Sequence, residues 1–198
     1  MAQSHRPNGT DSGARSTATT TASRGGGLLR LGAPPVAATA LTATVALYMT
    51  LVAFGNITDF GTNQQFVQHV LSMDTTFKDP DLMWRAVESP ALQNAAYVAV
   101  IVWGTLAALV LLAATWFWIT GLRRDAYDRA RAASTVGLVM VLLLFGLGFL
   151  AIGGEWFAMW QSSDWNGLDA AARNVALAAF TLLVVHLPGV RRPAAEQV

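Results

Sequence analysis

Three stretches of this chain, Leu31 to Gly55, Pro90 to Thr120 and Ala132 to Gly154, contain no Asp, Glu, Lys or Arg. A helix rises about 1.5 Å per residue and the hydrocarbon core of a bilayer is about 30 Å thick, so about 20 apolar residues cross it. Each stretch is therefore expected to be a membrane-spanning helix. Pro34 and Pro35 are tolerable because they fall in a first turn, where N–H partners are missing anyway, and Ser89-Pro90 reads as an N-cap followed by proline. A fourth run, Asn174 to Val190, is shorter and carries His186 near its end, so it spans only if it begins near Leu168. That start places Asp169 and Arg173 four apart at the interface, a spacing that favours an ion pair and lets Arg173 snorkel. The expected fold is all-α: a four-helix transmembrane bundle with spans near 31–55, 90–120, 132–154 and 168–188, and a long, partly helical extracytoplasmic loop between the first two.

Composition agrees with a membrane solvent. Of the 198 residues 54% are hydrophobic and 13% charged, where a soluble domain carries about 25% charged residues. With no cysteine there is no disulfide, no Cys-ligated metal and no Cys nucleophile, and a formal net charge of +1 gives no footprint for nucleic acid. Residues 1–27 are rich in Ser, Thr, Gly and Arg and too poor in apolar groups to offset ordering entropy. They read as a flexible tail; Gly9, Gly13 and Gly25 to Gly27 oppose the amphipathic helix of a transit peptide. Residues 191–198 form a short C-terminal tail.

Basic residues near span ends mark the cytoplasmic side. Arg6, Arg15, Arg24, Arg30, Arg123, Arg124, Arg129, Arg131, Arg191 and Arg192 fall on one side of the bundle, and only Lys78, Arg85 and Arg173 on the other. Both termini are thus expected in the cytoplasm. The acids run the opposite way: Asp59, Asp74, Asp79, Asp81, Glu88, Glu155, Asp164 and Asp169 make the outer face negative.

The segment Asn56 to Ser89 is too long for a simple hairpin, and long connections are usually structured or functional. Phe66, Val67, Val70, Leu71 and Met73 interleave with Gln64, Gln65, Gln68, His69 and Ser72 at helical spacing, which predicts an amphipathic helix over Thr62 to Met73 lying on the bundle or in the interface. Asp79-Pro80 then predicts a second short helix with Leu82, Met83, Trp84 and Val87 on its apolar side. The other outer connection, residues 153–167, carries Trp156, Trp160 and Trp165. If the third span continues past Gly154, Trp156 and Trp160 share one helix face. These rings are read either as an aromatic belt at headgroup depth or as a floor under the long loop.

The stretches NITDFGTNQQFVQHVLSMDTTF (56–77), LMWRAVESPALQNAAY (82–97) and IGGEWFAMWQSSDWNG (152–167) resemble the bacterial family of predicted small integral membrane proteins known as domain of unknown function 2165. The resemblance runs from about Leu28 to Val190 in the same four-span order. It implies a bacterial inner-membrane protein of no established activity, and it carries over no catalytic or ligand residue. The long tail before Leu28 lies outside the family's usual pattern.

Candidate chemistry gathers on the outer side. His69 and His186 stand about a membrane thickness apart and cannot share one haem, and His5 is in the tail. The first three spans hold no carboxylate within them, which disfavours proton coupling. Glu155, after two glycines and before Trp156, reads either as a partly buried carboxylate or as a helix-end acid paired with Arg85 or Arg173. If the loop helix and the segment around Trp84 pack over Glu155, Trp156 and Trp160, then Asp59, His69, Asp74 and Arg85 join them. Arg85 against an acid is the expected pair, with a divalent cation as the alternative. Gly104 with Ala108, Gly146 with Gly148, and Ala172 with Ala176 suit close helix packing within one chain more than between chains, so a homo-oligomer is not required. No phosphate-binding, dinucleotide or hydrolase motif occurs. The function expected is a non-enzymatic scaffold or accessory subunit displaying an acidic, aromatic, partly helical surface to the periplasm, with the lipid bilayer as its first partner and other membrane-protein subunits as candidates. The alternative is a binding or transport module for a cation or a small lipophilic molecule such as a quinone; no cofactor is called for.

Overall fold

The computed structural model describes residues 33–124 and 126–187. The N-terminal tail with its basic residues, the start of the first span at Leu31, Asp125 and the C-terminal tail with Arg191 and Arg192 lie outside the described residues. Helix α1 is Pro34–Thr58, α2 is Phe60–Ser72, α3 is Pro90–Arg124 and α4 is Asp128–Leu142. Without interruption α4 passes into a π-helix, Leu143–Trp156, and α5 is Leu168–Val185. Single 3-10 turns lie at Met83–Arg85 and Met159–Gln161, and there is no strand among the described residues. Four helices are long and apolar enough to cross a membrane: α1, α3, α4 with its π continuation, and α5.

Both α1 and α4 pack against α3 and α5, so the spans stand at the corners of a square and alternate in direction. Large aliphatics stand both inside and outside this square, whereas small residues are concentrated on the inside. Leu47, Leu51, Leu106, Leu109, Leu147 and Phe180 are exposed, and beside the buried Val45, Met49, Leu111, Leu138, Val141 and Val185 the inside is rich in small residues: Ala38, Thr42, Ala46 and Ala53 on α1, Gly104, Ala107, Ala108 and Ala114 on α3, Ser134 and Gly137 on α4, and Ala171, Ala178 and Thr181 on α5. Lipid tails are as apolar as leucine, so burying leucine gains little in a bilayer, whereas small residues let backbones approach and make dispersion contacts. Gly104 and Ala108 face the interior, as expected; Ala172 and Ala176 are exposed.

Buried polar groups must find partners without water. Trp118, fully buried, donates its indole N–H to Ser134 Oγ at 2.8 Å, and Thr42 Oγ1 lies 3.4 Å from the same oxygen across the diagonal of the square. Near that end of the bundle Thr135 Oγ1 meets His186 Nε2 at 2.9 Å, so His186 serves packing. Asp169 and Arg173 are both exposed and form no ion pair, in contrast to the expected interface pair. Solvent can stabilise each there, and a surface pair is worth little.

The π-helix was not legible beforehand. Phe157 N–H reaches the Ile152 carbonyl five residues back at 3.0 Å, and the segment holds Gly146, Gly148, Gly153 and Gly154. Glycine costs about 1 kcal/mol relative to alanine in an α-helix, so this segment resists the wider winding least. Where α4 changes to π winding, the Met140 carbonyl accepts the Trp103 indole N–H at 2.9 Å, which ties α3 to α4 at the changeover.

Gly137 sets the α3–α4 approach: a Cβ there would lie 2.7 Å from Leu111 Cγ and Cδ2, in a side chain with no exposure and no room to retreat. At Gly104 the nearest atoms would be 3.9 Å away. Gly137→Ala is therefore expected to destabilise the bundle by about 1–3 kcal/mol, the usual overpacking cost, and Gly104→Ala to change little. Thermal unfolding in detergent measures both; equal melting temperatures would mean that α3 and α4 do not touch at Gly137.

Candidate functional site

One residue separates α1 from α2. Asp59, at φ −113° and ψ 55°, breaks the helix, and its carbonyl accepts both the backbone N–H (3.4 Å) and the side-chain amide (3.0 Å) of Asn63. The bend is held to α3 by Tyr97, which donates its hydroxyl to the Asn56 carbonyl at 2.9 Å and meets the Phe60 ring edge-on at 4.7 Å. So α1 passes through Gly55 to Thr58, and the loop helix begins at Phe60 rather than Thr62.

From there α2 roofs the end of the bundle. On the α3 side Gln64 and Gln68 both donate to Asn94 Oδ1, at 2.6 and 3.3 Å. On the other side the Phe66 ring packs against Phe149 and Trp165, each 6.2 Å away, and comes so near Gly167 that a Cβ there would stand 2.9 Å from it. At its C-terminus α2 stops on Met73, which takes a left-handed conformation and is buried with Phe157 and Ala158. The returning chain is tied down by Val87 N–H to the Leu71 carbonyl at 2.8 Å, and by Gln93 Nε2 to the Val87 carbonyl at 2.7 Å. The second helix expected after Asp79-Pro80 is a single turn. Asp79 accepts from Asp81 N–H through its side chain and from Leu82 and Met83 N–H through its carbonyl, which closes the turn locally.

The aromatic connection between the π-helix and α5 supplies the floor. Trp84 meets Trp156 edge-on at 5.5 Å, and Phe77 meets Trp160 edge-on at 5.9 Å. Thr75 and Ser162 hydroxyls lie 2.8 Å apart, and Phe77 N–H donates to Gln161 Oε1 at 3.0 Å. Trp156 and Trp160 do not share a helix face, because the left-handed Ala158 (φ 50°) ends the helix between them. Each instead meets a different ring of the loop.

The ionisable candidates are engaged differently from expectation. His69 Nδ1 lies 2.7 Å from Asp74 Oδ2, bracketing the left-handed turn at Met73, and its ring stacks on Trp165 at 4.4 Å and 17°. The expected Arg85–carboxylate pair is not formed. The Arg85 guanidinium carbon lies 5.0 Å from the Trp156 ring centroid and 5.6 Å from that of Trp84, Nη1 donates to the Trp156 carbonyl at 3.4 Å, and Nε is buried with no hydrogen-bond partner. A planar, weakly hydrated guanidinium is stabilised on indole faces, and Glu155 is exposed and in no ion pair. Asp59 and Asp74 sit at opposite ends of α2, about 20 Å apart along a helix of this length. The acids therefore do not gather: among the described residues no three His, Asp or Glu side chains stand together as metal ligands. Asn94 was missed, and Trp165 was read as a ring of the floor rather than as the partner of His69. An amide near the start of an otherwise apolar span, facing two glutamines four apart on the loop helix, was the available signal.

Beneath α2 lies a cavity of about 330 Å³, between α3 and the π-helix. Its walls include Val67 and Val70 of α2, Ala96 and Val100 of α3, and Gly148 and Phe149 of the π-helix, and every residue lining it is apolar.

The model of the family described as predicted small integral membrane protein, a domain of unknown function, matches residues 35–188. No curated protein and no solved structure matches the chain.

The cysteine-free background makes the seating of the loop testable. Cysteines replacing Trp84 and Trp156, or Phe77 and Trp160, are expected to join through a short bifunctional reagent in native membranes, measured as an electrophoretic shift. A control pair at Trp84 and Leu109 should not join. Failure of both loop pairs would detach the loop from the bundle.

Proposed function

Because the chain belongs to the family of predicted small integral membrane proteins, we propose that it is a non-enzymatic accessory subunit of a bacterial inner membrane. Its loop end faces the periplasm and engages the extramembrane part of a larger membrane protein. The observation that carries this reading is a ledge of large rings on that end: Phe77 is 73% exposed, Trp84 69%, Trp160 52% and Trp156 46%. The rings are already ordered by edge-to-face pairing and by Arg85. Pre-ordered aromatic anchors bind with little further loss of side-chain entropy and are enriched in interface cores. Asp74, Asp79, Asp81, Glu88, Glu155 and Asp164 in the same two connections outnumber Lys78 and Arg85, which suits a basic partner surface. A non-catalytic role is supported by the engagement of His69 and Arg85 in structural contacts. A second reading, binding of a lipophilic molecule, is favoured by the apolar cavity.

Affinity purification from gently solubilised membranes, read by native mass spectrometry, tests the proposal. Wild-type protein is expected to retain a membrane-protein partner in fixed stoichiometry. The double variant Phe77→Ser, Trp84→Ser should lose it at least tenfold while its melting temperature moves by only a few degrees. A protein that emerges without a protein partner, or a ledge variant that keeps one, would reduce the rings to an interfacial anchor of the kind Trp commonly provides.

The basic-residue asymmetry supports the orientation. Reporter fusions at Asn63 and after Val198 are expected to give periplasmic and cytoplasmic signals respectively; the reverse would place the ledge in the cytoplasm.

A further inference from the structure

We propose that the cavity under α2 is a binding site for a single hydrocarbon chain of a membrane lipid, entering sideways from the bilayer between α3 and the π-helix. Three observations carry this, and none depends on the aromatic ledge. First, α2 stands off the bundle. None of its residues is fully buried although Phe66, Val67, Val70 and Leu71 face the cavity. It is propped at its edges, by Gln64 and Gln68 on Asn94, by Phe66 on Phe149, and by the Leu71 carbonyl on Val87. The space between the props is what remains.

Second, the walls diverge. Helix α3 packs closely on α4 but touches its π continuation little, and Trp103 closes the seam by bonding to the Met140 carbonyl where the winding changes. On the roofed side of that seam small residues, Ala96 and Ala99 on α3 and Gly148 and Gly153 on the π-helix, leave room between the larger Val100, Leu144 and Phe149. Ala99 and Ile152, on opposite walls, are exposed and form a mouth. The exposed residues beside them on the same two helices, Val98, Val102, Leu106 and Leu147, are apolar, so the mouth opens toward hydrocarbon.

Third, the lining selects the occupant. Water in a buried site needs two to four polar partners, and this cavity offers no polar side chain. Apolar cavities of about half this volume stay dry and take small hydrocarbons, and about 300 Å³ is the lower end of the range for small-ligand sites. Unfilled space in a folded core costs stability in proportion to its volume. A chain from the surrounding bilayer is the apolar material at the mouth.

Proteoliposomes carrying either a phospholipid with a photoreactive diazirine in one acyl chain or a polyprenyl chain with the same group test the proposal. Peptide mass spectrometry after illumination is expected to find label on α2 at Val67 and Val70, and whichever probe delivers it names the source. Ala99→Phe and Gly148→Val fill the cavity from opposite walls; a Cβ at Gly148 meets nothing nearer than 3.8 Å. Each should lower α2 labelling at least fivefold relative to labelling of the lipid-facing Leu106 and Leu109. Melting temperatures in detergent identify a variant that has failed to fold, and the other variant then decides. Absence of α2 label from both probes, or α2 label unchanged in a folded, filled variant, would overturn the proposal. Loss of the protein partner in the ledge variant with α2 labelling intact would leave this inference standing.

Discussion

In a bilayer the hydrophobic effect that organises soluble cores is absent between helices, and the structure depends on what replaces it. Helices here are apolar all round, so polarity does not choose which face turns inward. Small residues do much of the choosing: Ala38, Ala46, Gly104, Ala108, Gly137 and Ala178 bring backbones together around a few buried large side chains such as Leu111 and Leu138, and many of the other large side chains, among them Leu47, Leu51, Leu106, Leu109, Leu147 and Phe180, turn outward into lipid. The same solvent forbids an unpartnered polar group. Trp118, Ser134 and Thr42 therefore form a diagonal link across the square that fixes the relative heights of three helices. A bundle packed this way tolerates almost any aliphatic substitution on its outside and little added volume at Gly137.

The loop end obeys a different rule because it lies where water and hydrocarbon meet. There an amphipathic stripe has meaning, and the inward set Phe66, Val67, Val70 and Leu71 follows from it. Polar contacts then decide position. The amides of Gln64, Gln68 and Asn94 meet on one side of α2, and His69 is held between Asp74 and Trp165 on the other. Arg85 is stabilised by ring faces rather than by a carboxylate, which leaves Glu155 to the solvent.

The spans were legible because a charge-free run has only one low-energy place to go, and the first break in each run lies close to a helix end: Pro90 begins α3 and Leu168 begins α5. The sequence named Trp156 and Trp160 as the floor of the loop; they meet Trp84 and Phe77 of the returning chain, whereas the stripe of α2 itself rests Phe66 on Phe149 and Trp165. What escaped were choices between near-equal local states. The change to π winding after Leu142 follows no change in hydrophobicity. Whether Arg85 would meet an acid or an indole depended on where Glu155 points, and the left-handed Ala158, which separates Trp156 from Trp160, carries no glycine to announce it. The expected metal-type gathering failed for a simpler reason: Asp59 and Asp74 bound opposite ends of one rigid helix.

The near-continuity of α1 and α2 bears on how the protein is assembled. Chain leaving the ribosome delivers the roof early, right behind the first span, but two of the surfaces on which Phe66 rests, Phe149 and Trp165, belong to the last third of the sequence. Val87, Asn94 and Tyr97 are available sooner. During synthesis α2 can thus be pinned along one edge while its apolar stripe stays uncovered, and it closes only when the third helix and the turn after it have entered the membrane. Closure of this roof therefore waits on the third span and the connection behind it, and a chain stalled before Trp165 carries an open apolar face of the kind that recruits chaperones or aggregates.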